Sequence, residues 1–177
     1  MAKCEKILIA GFSGAGKTTL LRALEASAPD GWERFDDLDQ LILRSRGKGR
    51  TRLADLIEEV GWEKFRLWER QEFEGWVKEE RRGVLALGGG TLSPLLWDLY
   101  RRAPQLKFVH LDVPFAVAWE RLLKDRETPR PLLARGRAEL EAIYAERRRV
   151  FSELPLTLDG AGAPDRLAAE LWRNLSC

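Results

Sequence analysis

The residues best equipped for chemistry stand near the start of the chain. Gly11, Gly14 and Gly16 precede Lys17 and Thr18 in the stretch GFSGAGKTT, which satisfies G-x-x-x-x-G-K-[ST] in full. Glycines let the backbone turn until successive N–H groups point inward, and such a concavity suits phosphate oxygens. The spacing predicts a nucleoside triphosphate held by Gly14, Ala15, Gly16, Lys17, Thr18 and Thr19. Lys17 would reach the β- and γ-phosphates and the Thr18 hydroxyl would sit on Mg²⁺. The motif needs a strand before it and a helix after it. Both are present, as the apolar run Ile7–Ala10 and a helical pattern carrying Leu20, Leu21 and Leu24 on one side.

Further along lie groups that suit an acceptor. Asp37 and Asp39 stand two apart after a short strand expected over 32–35. In extended chain they would point in different directions, one toward a metal and one toward a hydroxyl. The cluster with Asp36 could equally cap the next helix. Arg66 has Glu69 one turn on, an i,i+3 partner, but taken alone it reads as a surface charge. Gly88, Gly89 and Gly90 end an apolar run, Val84–Leu87, where side chains are normally favoured. A ligand against the backbone would explain them, and so would a tight turn. Arg147, Arg148 and Arg149 are consecutive, and position alone does not choose among them. His110, the single histidine, falls inside an apolar strand and reads as a core residue.

The elements that must position these groups alternate strand and helix. Further strands are expected over 106–111 and 156–158. Helices are expected over 19–26, 38–45, 53–60 (stopped by Gly61), 62–81, 94–102, 114–124, 138–153 and 163–175. The tryptophans and phenylalanines of 62–81 share a face and read as core. Such alternation predicts an α/β protein, a three-layer αβα sandwich around a five-stranded parallel sheet. Ligands in such sheets bind beyond the carboxyl ends of the strands. The phosphate loop, Asp37/Asp39 and the triple glycine should therefore converge.

The order of these pieces — phosphate loop, D-L-D, F-R-x-x-E, L-G-G-G, R-P-L-L, then A-E-R — resembles the shikimate kinases, P-loop enzymes of the nucleoside monophosphate kinase-like group. The likeness runs from Ile7 to about Asp159. It implies a single kinase domain over 1–177, with a substrate-binding insertion at about 37–66 and a lid at about 125–137. It implies ATP and Mg²⁺, and transfer of a phosphoryl group to a ring hydroxyl of shikimate, giving shikimate 3-phosphate and ADP. By resemblance Asp37 stands on the metal side and Asp39 on the substrate hydroxyl. Arg66 and Arg147 grip the substrate carboxylate, and the ring lies against the last two of Gly88, Gly89 and Gly90. Arg130 is the lid arginine on the nucleotide, and Arg121 is a weaker candidate for stacking on adenine. The basic loop 46–52 is longer than the family pattern, by about three residues, and Phe151 stands where tyrosine is usual.

Composition bounds the alternatives. The chain has 177 residues, is 45% hydrophobic, and balances 30 basic against 28 acidic side chains for a net charge of +2. That balance argues against nucleic acid or a membrane surface as the main partner. Cys4 and Cys177 show no ligand spacing, and no export leader is visible, so a cytoplasmic and monomeric enzyme is expected. Two other readings compete: another small P-loop kinase, for gluconate or a nucleoside monophosphate, and a regulatory or RNA-binding module using the basic run 44–52.

Overall fold

Five strands run parallel in the order β2-β3-β1-β4-β5, in a computed structural model that describes residues 6–124 and 133–175. The strands are β1 (Lys6–Ala10), β2 (Arg34–Asp37), β3 (Gly83–Ala86), β4 (Leu106–Asp112) and β5 (Leu156–Asp159). Between and after them come α1 (Lys17–Ala26), α2 (Leu38–Arg46), α3 (Leu53–Lys78), α4 (Pro94–Tyr100), α5 (Phe115–Lys124), α6 (Arg137–Phe151) and α7 (Pro164–Leu175). The expected sandwich is therefore observed. Strand order reverses at β1, which pairs with β3 on one side and β4 on the other. The crevice at that reversal is where ligands bind in open α/β sheets.

The central strands β1 and β3 are buried on both faces because they run as near-continuous apolar stretches, Ile7–Ala10 and Val84–Ala86, rather than alternating. Ile7, Ile9, Val84, Ala86, Val109 and Leu111 enter one core with α1, α5 and α7. Leu8, Ala10, Leu85, Leu87 and Phe108 enter the other with α2, α3 and α4. His110 lies on that second face, 4% exposed and packed at a tilt against the Phe151 ring, 5.2 Å between centroids. Phe151 is itself buried, so its ring serves as core where a hydroxyl would need a partner.

Burial depresses the His110 pKa, with Asp112 opposing and Arg148 and Lys17 adding to the depression. The unfolded chain therefore takes up this proton first as pH falls, and stability drops below about pH 6.5. His110→Gln should flatten this part of the pH profile in denaturant titrations at pH 7.5 and 5.5. Equal loss in both proteins would contradict it.

Several boundaries differ from the sequence expectation by a few residues. β2 covers 34–37 rather than 32–35, because Trp32 leaves the sheet to pack on Trp172 of α7 at 5.0 Å. Gly61 stops the first part of α3 as expected, at φ 81 and ψ 159, and the second part follows at once across the kink. In the lid range a 3₁₀ turn covers Leu133–Arg135, and α6 begins at Arg137, while Arg130 lies outside the described residues. No helix among the described residues is long and apolar enough to cross a membrane.

Candidate active site

The phosphate loop connects β1 to α1. Gly14 (φ 83) and Gly16 (φ 98) take left-handed conformations, and a Cβ on Gly14 would meet the Ala118 carbonyl oxygen at 2.7 Å. α1 starts with no side-chain cap and no acidic residue in its first turn. Its first N–H groups and positive dipole end are thus left for an anion. The Lys17 ammonium donates to the carbonyls of Gly11 (2.8 Å) and Phe12 (3.0 Å), so it is folded over the loop. Arg121 does not project freely. It donates to Ala15 O at 3.0 Å and to Gly160 O at 3.1 Å, strapping the phosphate loop to the turn after β5.

The acidic cluster divides by role. Asp36, buried, accepts from Trp76 Nε1 (2.9 Å) and Arg34 Nε (2.5 Å) and belongs to the core. Asp37 is at once the helix cap and the partner of the phosphate loop. Its Oδ1 accepts from the backbone of Asp39 (3.0 Å) and Gln40 (3.4 Å), and its Oδ2 accepts from the Thr18 hydroxyl at 2.8 Å. Capping and site geometry are therefore compatible readings of one side chain. Asp39 is not in extended chain as expected, because α2 has already begun at Leu38. Helical geometry brings Asp37 and Asp39 to the same cleft instead of opposite faces.

The triple glycine is a floor with almost no room above it. A Cβ on Gly88 would meet Asp39 Oδ1 at 2.8 Å. One on Gly90 would meet Arg66 Nη2 at 2.6 Å and Arg147 Nη2 at 2.8 Å. These contacts put the Asp39 carboxylate and both guanidinium groups directly over the glycine backbone. The tight turn is real, but side chains of the site make it necessary.

Arg66 is aimed by Glu69, which accepts from its Nη1 at 2.5 Å and from the Thr91 hydroxyl at 2.7 Å. Glu69 is 4% exposed, and a carboxylate that deep holds its place because each oxygen is bonded. Of the three consecutive arginines, Arg147 alone is at the glycine floor. Arg148 is exposed and pairs with Asp112 at 3.2 Å, and Arg149 is exposed. Arg147 Nη1 is buried and makes no hydrogen bond among the described residues. Burial, then the neighbouring Arg66, lowers the Arg147 pKa to about 10, with Glu69 and Glu146 opposing. Two like charges side by side, one with an unused buried N–H, form a fork that an anion completes.

Two features escaped the sequence reading. Trp62 was expected in the core, yet it is 37% exposed and lines the cleft. The Arg66 guanidinium lies 5.2 Å from its ring. Phe12, inside the phosphate loop, packs edge-on against Tyr144 of α6 at 5.3 Å and lies 5.7 Å from the Arg147 guanidinium. An aromatic in a glycine-rich loop was the available signal for the latter. Trp62 gave none, since its spacing fits the buried face.

One cleft of about 650 Å³ is lined by Gly14, Gly16, Lys17 and Thr18, by Asp37 and Asp39, and by Arg66 and Arg147. Phosphates on the loop and a small anion at the two arginines would share that space with the Asp39 carboxylate. Among the described residues expected in the site, all but Ala15 line this cleft, and three arginines of the basic run are held by acidic neighbours. Arg44 pairs with Asp36, Arg46 with Glu72, and Arg50 with Glu59.

Known proteins of the same build were found at the levels of sequence and fold. A family model described as shikimate kinase matches residues 13–175. A shikimate kinase of Streptococcus gordonii is 30% identical over 96% of this chain and 99% of its own. The shikimate kinase of Acinetobacter baumannii, solved in complex with shikimate, superposes with a TM-score of 0.79 at 25% identity, over 97% of this chain and 93% of that one. A gluconokinase of Sinorhizobium meliloti shares the fold less closely, with a TM-score of 0.56 at 20% identity over 98% and 97% of the two chains. The phosphate loop, the paired carboxylates and the arginine fork thus sit in a chain matched along nearly its whole length, and the chain belongs to the shikimate kinase family, phosphotransferases that use ATP and act on a hydroxyl group.

Proposed function

We propose that this cleft transfers the γ-phosphoryl group of ATP to a ring hydroxyl of shikimate, giving shikimate 3-phosphate and ADP. The observation that carries the choice of acceptor is the Arg66–Arg147 fork over the glycine floor, with a buried Arg147 N–H left without a partner. A planar carboxylate fills such a fork with parallel charge-assisted hydrogen bonds. With no side chain on Gly88 or Gly90, the Asp39 carboxylate and both guanidinium groups can close in on the backbone around one acceptor.

In this reading ATP lies along the phosphate loop with its γ-phosphate toward Asp39. Lys17 exchanges its two carbonyl partners for phosphate oxygens. Asp39 takes the proton of the acceptor hydroxyl as the new P–O bond forms and the bond to the ADP oxygen breaks. Arg66 and Arg147 fix the other end of the acceptor, so that the reacting hydroxyl faces the phosphoryl group rather than solvent. Arg121 holds the phosphate loop from behind through its carbonyls, next to the turn at Gly160 where the adenine would lie. Arg130 is assigned to the lid, over the phosphates.

The Thr18–Asp37 pair fits Mg²⁺. This ion prefers a hydroxyl, one carboxylate, phosphate oxygens and its own waters to a cage of protein ligands. Bound there, Mg²⁺ would supply neutralisation of phosphate charge during transfer.

The acceptor assignment is tested by calorimetric titration with shikimate and with its uncharged amide. Shikimate should bind, and the amide should bind at least about tenfold more weakly, because it cannot satisfy two guanidinium groups. Arg147→Ala should abolish that discrimination. Equal binding of acid and amide to the wild-type protein would contradict the assignment.

A further inference from the structure

The basic run 44–52, from the end of α2 to the start of α3, carries four arginines, and one of them differs from the rest in its surroundings. Arg44, Arg46 and Arg50 are turned to acidic partners on neighbouring elements, and Arg46 also stacks against Trp68 at 5.7 Å. Arg52 instead lines the same cleft as Asp39, Arg66 and Arg147. Its ion-pair partner is Asp55, three residues on, at 3.7 Å with both side chains about half exposed. That separation is beyond hydrogen-bond distance, and exposed pairs of this kind hold a side chain weakly. Arg52 is also the N-cap of α3 and makes no capping hydrogen bond with its side chain.

The backbone before it explains how it reaches the cleft. Lys48 (φ 48) and Gly49 (φ 85) take consecutive left-handed conformations, and the chain then becomes extended at Arg52. A lysine in that region is uncommon, so the turn is imposed by the loop rather than by residue preference. The chain re-enters with Thr51, Arg52 and Leu53 on the cleft wall, while the other cations stay outside.

Resting on the acceptor reading above, the remaining chemistry can be assigned. The carboxylate takes Arg66 and Arg147, and the reacting hydroxyl takes Asp39. The non-reacting ring hydroxyls are left as hydrogen-bond acceptors, and Arg52 is a charged donor on the adjoining wall with little to lose by turning. We propose that Arg52 is a specificity-determining residue that donates to a non-reacting hydroxyl of the acceptor, exchanging Asp55 for it on binding.

The test is steady-state kinetics on the full chain with shikimate and with an analogue in which one non-reacting hydroxyl is replaced by hydrogen. Arg52→Ala should raise the KM for shikimate about tenfold, with kcat and the KM for ATP held within about twofold. Arg52→Lys should recover part of the loss. For one of the deoxy analogues, wild type and Arg52→Ala should have the same KM, because the contact is already missing. An unchanged shikimate KM in Arg52→Ala would overturn the inference, as would a parallel fall in kcat and in apparent ATP affinity. A wild-type protein that turns over no shikimate would overturn the acceptor reading and this inference with it. Normal wild-type turnover with an indifferent Arg52→Ala overturns this inference alone.

Discussion

Asp39→Asn should lower kcat by about 10²- to 10⁴-fold with little change in the affinity for either substrate. The asparagine keeps the shape of the side chain over Gly88 and can still hydrogen-bond the hydroxyl, but it cannot accept its proton. The geometry makes this a clean test. The carboxylate lines the same cleft as Lys17, Arg66 and Arg147, and its Oδ1 lies directly over Gly88. The loss should therefore appear in single-turnover measurements, where binding and release are removed. A variant whose KM rises while kcat stays near wild type would show that Asp39 only binds.

Lys17→Met should cost more, about 10³-fold or beyond in kcat/KM for ATP. Here a full positive charge leaves the phosphates, and methionine replaces its length without its charge. The folded protein should survive the change. Lys17 is partly exposed, and its bonds to Gly11 and Phe12 stay within its own phosphate loop rather than tying it to a distant element. The variant should thus keep a thermal midpoint near that of wild type while losing nucleotide turnover. Loss of fold alongside activity would mean that the lysine serves the loop rather than the nucleotide.

These two residues were legible in the sequence for different reasons. Lys17 belongs to a contiguous motif, in which residue types alone determine the local backbone and its chemistry. Asp39 needed its neighbours, and its reasoning was only half right. The extended-chain argument sent Asp37 and Asp39 to opposite sides, whereas α2 begins between them and brings both to one cleft. Helix capping and site chemistry, weighed as rivals for the acidic cluster, turn out to share the two oxygens of Asp37.

The acceptor end was harder to read, because its parts meet only across the fold. No spacing rule says that Arg147 rather than Arg148 faces the site. The choice follows from how α6 is rotated against Phe12 and the glycine floor. Glu69 could be paired with Arg66 from their i,i+3 spacing, but its second bond, to Thr91, spans 22 residues. Trp62 kept the period of a buried face and still emerged at the cleft, because the kink at Gly61 re-aims the start of the helix that follows. Sequence periodicity reports which face is apolar. It does not report where a bend lets one ring out.

The measurement that bears most directly on the account is analysis of the products formed from ATP and shikimate by the wild-type chain, with phosphorus NMR to follow the transferred group. The account predicts ADP and a single phosphoester on a shikimate ring hydroxyl, formed one for one. ADP released without a shikimate phosphoester, or phosphoester formed with gluconate or a nucleoside monophosphate but not with shikimate, would contradict it.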